Sequence, residues 1–132
     1  MQKIIKQKVV LKATPQEVYE MLMDSKKHSA FTGEPAKISG KVGGKFTAYS
    51  GYAEGKNLEL VEGKKIVQEW RASDWEEGAY SKVTFTLKKS KSGTELTFTQ
   101  SGVPQDQYKS IGTGWKDFYW TKMKEYIANK AK

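Results

Sequence analysis

"GTGWKDFYWTKMKEYI", residues 112–127, carries five large aromatic side chains, Trp115, Phe118, Tyr119, Trp120 and Tyr126, with three lysines set among them. At about 100° per residue, with Trp115 at zero, Tyr126, Tyr119, Met123, Ile127 and Trp120 fall between about 20° and 140°, and Phe118 lies about 60° to the other side. The apolar arc is about 200° wide, twice the stripe that seats an ordinary surface helix on a core. Such a helix must be touched on more than one side. Each ring exposes on the order of 150 to 250 Å² when free, so a curved sheet, a ligand or a partner has to cover them. The spacing predicts Trp115, Tyr119, Met123 and Tyr126 packed inward, Trp120 and Ile127 at one rim and Phe118 at the other. Lys116 and Lys122 lie within the arc and must reach outward along their stems. Gly112 and Gly114 each cost a helix about 1 kcal/mol relative to alanine, so they mark a kink or a close approach of backbone to sheet.

Working back toward the N-terminus, residues 3–12, "KIIKQKVVLK", alternate loosely, with Ile5, Val9 and Leu11 on one face, and read as a first strand. Thr14 is the natural N-cap of the next segment, Pro15 fits the first helical position, and Glu17 can close a capping box. A short helix from Pro15 to about Asp24 follows, and "SKKHSAFTG" adds a further turn or two that Gly33 ends. From Pro35 to Gly102 the pattern changes to short alternating runs divided by glycine-bearing turns, the signature of an antiparallel meander. Six strands fit, over residues 35–40, 45–50, 57–62, 65–71, 80–88 and 94–100, with "GYAEGK" at 51–56 read as a turn. The period of two is cleanest where Ser81, Val83, Phe85 and Leu87 share one face and Leu96 and Phe98 answer on the next strand. The fold class expected is therefore α+β, a curved antiparallel sheet of about seven strands wrapped on a long C-terminal helix, with two short helices after the first strand.

Length and composition fit one domain over residues 1–132, with a packed core. "MQKIIKQKVVLK" is charged every second or third residue and reads as neither a secretory leader nor a membrane span. With no cysteine, disulfides and thiolate chemistry are excluded, and the cytoplasm is the expected address. The net charge of +8 comes almost wholly from lysine, Arg71 being the single arginine. Those lysines are scattered in single and paired positions, which reads as a solvated surface. The surplus still favours an acidic partner through salt-sensitive steering. Neither a basic block nor an aromatic RNA-binding motif occurs, so no specific nucleic-acid partner is expected.

The residues that could carry chemistry are few. His28 is the only histidine, and within the lysine-flanked "SKKHSAF" it reads as a solvated loop residue rather than a ligand or a base. Glu76 and Glu77 beside Trp75 read as loop solvation. "GKVGGKF" falls one residue short of a phosphate loop and has Phe46 where a magnesium-binding hydroxyl belongs. No cofactor and no metal are called for. Arg71 alternates to the outer face from Trp70 and is expected to pair with Glu59 or Glu69.

The runs "GGKFTAYSGYAEGKNLELVEGKKIVQEWR", "SDWEEGAYSKVTFTL", "GTELTFTQSGVP" and "GWKDFYWTKMKEY" resemble, over nearly the whole chain, homologues of the activator of the heat-shock protein ninety ATPase, specifically its C-terminal domain. The order of Gly44, Phe46, Trp75, Gly78, Gly93, Thr94, Gly102, Pro104, Gly114, Trp115, Tyr119 and Trp120 carries the resemblance. Glu76 departs from it, standing where the family often has proline. The family's eukaryotic members also carry an N-terminal domain tied to ATPase stimulation, which this sequence does not match. The resemblance implies the helix-grip fold of the START-related and birch-pollen-allergen superfamily, in which a cavity between helix and sheet often holds an apolar ligand. It also implies heat-shock protein ninety as a partner.

A non-enzymatic domain that binds a small hydrophobic ligand or a protein partner under the C-terminal helix is the expected function. Co-chaperone action on heat-shock protein ninety is the alternative. The expected lining is Phe46, Gln68, Trp70, Phe85, Phe98, Trp115, Tyr119 and Met123, in which the Gln68 amide and the Trp70 indole supply polar atoms among aromatic walls.

Overall fold

The computed structural model describes residues 4–130. Seven strands form one sheet: β1 (Ile5–Leu11), β2 (Lys37–Ile38), β3 (Lys45–Ala48), β4 (Ala53–Val61), β5 (Lys65–Ala72), β6 (Ser81–Ser90) and β7 (Gly93–Ser101). Their spatial order is β1-β7-β6-β5-β4-β3-β2, every neighbouring pair antiparallel, so the meander runs to β7 and the first strand of the chain closes against the last.

Two short helices, α1 (Pro15–Met23) and α2 (Ser25–Thr32), follow β1. The capping box forms at α1, where the Glu17 N–H donates to Thr14 Oγ1 at 3.1 Å and the Thr14 N–H to Glu17 Oε1 at 3.3 Å. Asp24 caps α2 through the Lys27 N–H at 3.0 Å, and Gly33 ends it at φ 79°. The C-terminal helical run opens with a 3₁₀ turn, Gln105–Gln107. It continues as α3 (Tyr108–Trp115), passes through one π-helical turn, Lys116–Trp120, and ends as α4 (Thr121–Lys130).

The helices lie on the sheet face that period two marks as apolar. Ile66 and Trp70 of β5, Val83, Phe85 and Leu87 of β6, and Leu96 and Phe98 of β7 are all buried beneath them. Phe85 and Phe98 are register partners with ring centroids 5.3 Å apart, and Trp115 settles on Phe98 at 4.3 Å.

Two elements differ from the sequence reading for identifiable reasons. Residues 51–56 are not one long turn, because β4 already begins at Ala53 and pairs with β5 from Ala72 backward. The reversal is confined to residues 49–52, with Tyr49 and Ser50 at φ 52° and 57° and Gly51 at 92°. Gly55 looked like turn punctuation, but it marks a close approach: a Cβ there would stand 1.8 Å from the Glu69 carbonyl oxygen. β2 is only two residues long and sits at the sheet edge, a length that limits unwanted pairing there.

Candidate functional site

The π-helical turn explains how one helix buries so many rings. The Thr121 N–H donates to the Lys116 carbonyl, an i→i+5 bond that makes five residues advance about one turn. Trp120 is thereby carried round onto the face of Trp115, and the two indoles stack at 5.8 Å with 21° between planes. The 100° wheel places Trp120 at a rim, whereas it is only 5% exposed. Phe118 is turned outward and 52% exposed, and Tyr126 is half-buried.

Buried indole N–H groups call for partners, and two sheet glutamines supply them to Trp115 and Trp120. Trp115 Nε1 donates to Gln100 Oε1 at 2.8 Å. Gln100 Nε2 donates onward to Ser81 Oγ at 2.9 Å, and Ser81 Oγ to the Trp70 carbonyl at 2.8 Å. Trp120 Nε1 donates to Gln7 Oε1 at 2.6 Å, while Gln7 Nε2 donates to the Gly112 carbonyl at 2.8 Å. These glutamines sit at inward positions of β7 and β1, where the alternation calls for apolar side chains. A polar residue breaking a clean period of two is the signal that could have found them.

His28 is not a solvated loop residue. It is 3% exposed on α2, and its Nε2 shares a hydrogen bond of 2.9 Å with the Tyr119 hydroxyl. Phe31 and Tyr119 flank the imidazole at 5.0 and 5.4 Å. Desolvation pushes its pKa down to about 4, so the ring is neutral near pH 7. The Tyr119 hydroxyl is pushed well above the usual phenol range, chiefly by burial, with Tyr49 adding to it. The lysines around His28 suggested exposure, but α2 turns that one side chain under the long helix.

Beside the π-helical turn lies a cavity of about 470 Å³. The buried Trp70, Trp115, Tyr119 and Ala53 form its inner walls, Ile111, Ser110 and Gly114 of α3 its roof, and Tyr49, Tyr52 and Phe118 its outer side. Tyr49 pins the turn by donating its hydroxyl to the Phe118 carbonyl. The lining has no carboxylate, imidazole, lysine or arginine. A second space of about 20 Å³ lies deeper, bordered by His28, Phe46, Gln68 and Phe85, with Trp70, Trp115 and Tyr119 separating it from the first.

Of the eight residues expected to line a pocket, Trp70, Trp115 and Tyr119 border the larger cavity, and Phe46, Gln68 and Phe85 border only the small space. Phe98 and Met123, both fully buried, border neither. The Gln68 amide donates to Asn57 Oδ1 at 3.0 Å, and Asn57 Nδ2 in turn donates to the carbonyls of Ser39 and Lys41, so this amide anchors a loop. Arg71 does not pair with Glu59 or Glu69. Its guanidinium donates to the carbonyls of Trp75 and Glu76 and reaches Glu54 at 3.5 Å, because the loop after β5 folds back over it. Among the described residues no group of histidine, aspartate and glutamate gathers that could hold a metal ion, and no helix is long and apolar enough to cross a membrane.

An open antiparallel sheet gripping one long aromatic helix, with an apolar cavity between them, defines a helix-grip domain. The chain belongs to the family described as activator of Hsp90 ATPase homolog 1-like proteins, whose model matches residues 12–128. It is 35% identical over 115 residues to an activator of 90 kDa heat shock protein ATPase homolog from Dictyostelium discoideum, covering 86% of this chain and 30% of that protein. The human homolog 1 is 32% identical over 122 residues, covering 89% of this chain and 36% of that protein. The chain thus spans about a third of the length of these curated relatives. An HSP90 activator from Plasmodium falciparum superposes with a TM-score of 0.83 at 25% identity, over 97% of this chain and 96% of that one. The Aha1 dimer from Colwellia psychrerythraea, 19% identical with a TM-score of 0.81, shares the fold.

Proposed function

We propose that this domain is a non-enzymatic binder that takes a small apolar molecule into the cavity beside the π-helical turn. One observation carries the reading: a space of about 470 Å³, within the range of small-molecule sites, is walled by six aromatic rings and held open by residues that have their own hydrogen-bond partners. Trp115 is fixed through Gln100 and Tyr119 through His28, so neither can readily swing in to fill it. The expected setting is the cytoplasm, and nucleic acid is not an expected ligand.

The test is native mass spectrometry of protein purified gently from its own host. A retained small molecule supports the reading, and it should be lost when Ile111→Trp fills the roof. Bare protein that also takes up no apolar compound in a fluorescence screen would overturn it.

A second reading is favoured by the names of the relatives: association with heat-shock protein ninety and modulation of its ATPase. The excess positive charge suits an acidic partner. Turnover of the purified chaperone, measured with this domain in excess, should change. Unchanged turnover together with no detectable association sinks this reading.

A further inference from the structure

We infer that the ligand is a neutral aromatic molecule and that Gly114 is the position that admits it, an inference that rests on the cavity reading above.

Three observations converge on Gly114. First, glycine is among the poorest residues for a helix interior, yet this one sits inside α3. Second, nothing in the protein's own packing calls for it. Its φ is not in the left-handed region, and a Cβ built there would meet only Phe118 Cδ2, at an ordinary 3.8 Å. Gly112, two residues earlier, likewise leaves room for a Cβ, 3.7 Å from the Gln7 amide, but that side faces the sheet and not the cavity. Third, Gly114 borders the large cavity, so its bare backbone forms part of the wall. Glycine where the fold does not need it, and where a ligand would lie against backbone, is a residue kept for close approach.

The walls specify the chemistry. Trp70 and Trp115 approach at 5.7 Å, Trp115 and Tyr119 at 4.5 Å, and Tyr49 and Phe118 at 5.7 Å, offering both faces and edges to an incoming ring. A flat molecule can lie on the exposed peptide at Gly114 and meet those rings with tilted or edge-on geometry. A flexible alkyl chain would gain only area, with no quadrupole match, and would give up more rotamer freedom on entering. A charged ligand would be buried without a counter-ion, since the lining contains no ionisable cation or carboxylate. Of the lining hydroxyls, Tyr49 donates to the Phe118 carbonyl, Ser110 donates to the Gln107 carbonyl at 3.1 Å and Tyr119 is bonded to His28, while the Tyr52 hydroxyl stands at the exposed mouth.

The experiment follows tryptophan emission, to which Trp70 and Trp115 of the cavity wall contribute, at about 0.5 M salt to suppress long-range steering. The full chain is titrated with N-phenyl-1-naphthylamine, with its sulfonated analogue 1-anilinonaphthalene-8-sulfonate and with 1-dodecanol. The uncharged naphthylamine should bind at one site per chain, and the other two at least about tenfold more weakly. Gly114→Leu should abolish naphthylamine binding without lowering the unfolding midpoint. Gly114→Ala should raise the midpoint while weakening binding, and it decides the matter if the leucine variant fails to fold. Equal or tighter binding of dodecanol or of the sulfonate overturns the aromatic or the neutral assignment while the cavity reading survives. Undiminished binding by folded Gly114 variants overturns the role of Gly114. Binding of none of the three probes removes the underlying ligand reading as well.

Discussion

At the scale of single residues, the least expected feature is a histidine buried neutral against a tyrosine. The folded protein holds His28 down to about 4, whereas an unfolded chain leaves it near its ordinary value of about 6.5. Between those values the unfolded state binds a proton that the folded state refuses. The contribution is therefore complete above about pH 6.5 and is lost as pH falls toward 4. At 1.36 kcal/mol per pH unit the loss across the window is about 3 kcal/mol. Urea unfolding at a series of pH values should show that decline, and His28→Gln, which keeps a hydrogen-bonding group near Tyr119 without the titration, should flatten it. Equal slopes for the two proteins would show that His28 is not the group responsible. The glutamines make a companion case. Gln100→Leu deprives the Trp115 N–H of its acceptor and Ser81 of its donor, so a loss of about 1–3 kcal/mol is expected in the same assay. A stability within about 0.5 kcal/mol of the native value would mean that the Trp115 N–H finds another acceptor.

At the scale of elements, two departures from ideal geometry shape the molecule. The π-helical turn stacks Trp120 on Trp115 and turns Phe118 outward, leaving the cavity along its flank. The second is the close approach of the neighbouring strands β4 and β5 at Gly55, followed by a register irregularity between Asn57 and Glu59. A methyl group at residue 55 would press on the Glu69 carbonyl and lie 3.0 Å from Phe46 Cζ, so the strands must part. Gly55→Ala should cost at least about 1–3 kcal/mol, seen as a lowered urea midpoint. A variant as stable as the native protein would show that the sheet relaxes there at little cost. These are also the places where the sequence was hardest to read. Strand periodicity and the capping residues Thr14 and Glu17 act locally, so the number and order of elements were legible. A glycine that permits close approach looks the same in sequence as one that makes a turn. A wheel drawn at 100° per residue cannot anticipate one i→i+5 turn.

At the scale of the whole molecule, the candidate site was legible in its inner wall and not at its mouth. Trp70, Trp115 and Tyr119 follow from helix and strand phase, while Tyr49, Tyr52 and Gly114 depend on where a tight reversal and a helix roof happen to meet. The two proposed activities also differ in how they use the molecule as a whole. Uptake of a neutral molecule into an uncharged cavity draws on buried apolar surface, which the +8 charge scarcely touches. Association with an acidic protein draws on that charge across many lysines, and exposed charges more than a Debye length apart are screened. Raising salt from about 0.05 to 0.5 M should therefore weaken chaperone association by on the order of tenfold or more, mostly through a slower on-rate, while naphthylamine affinity stays within about twofold. Calorimetry or surface-based kinetics on the same preparation reads both. Chaperone association that ignores salt would place its energy in apolar contacts, and the exposed rings at the cavity mouth, Tyr52 and Phe118, would be the first side chains to truncate.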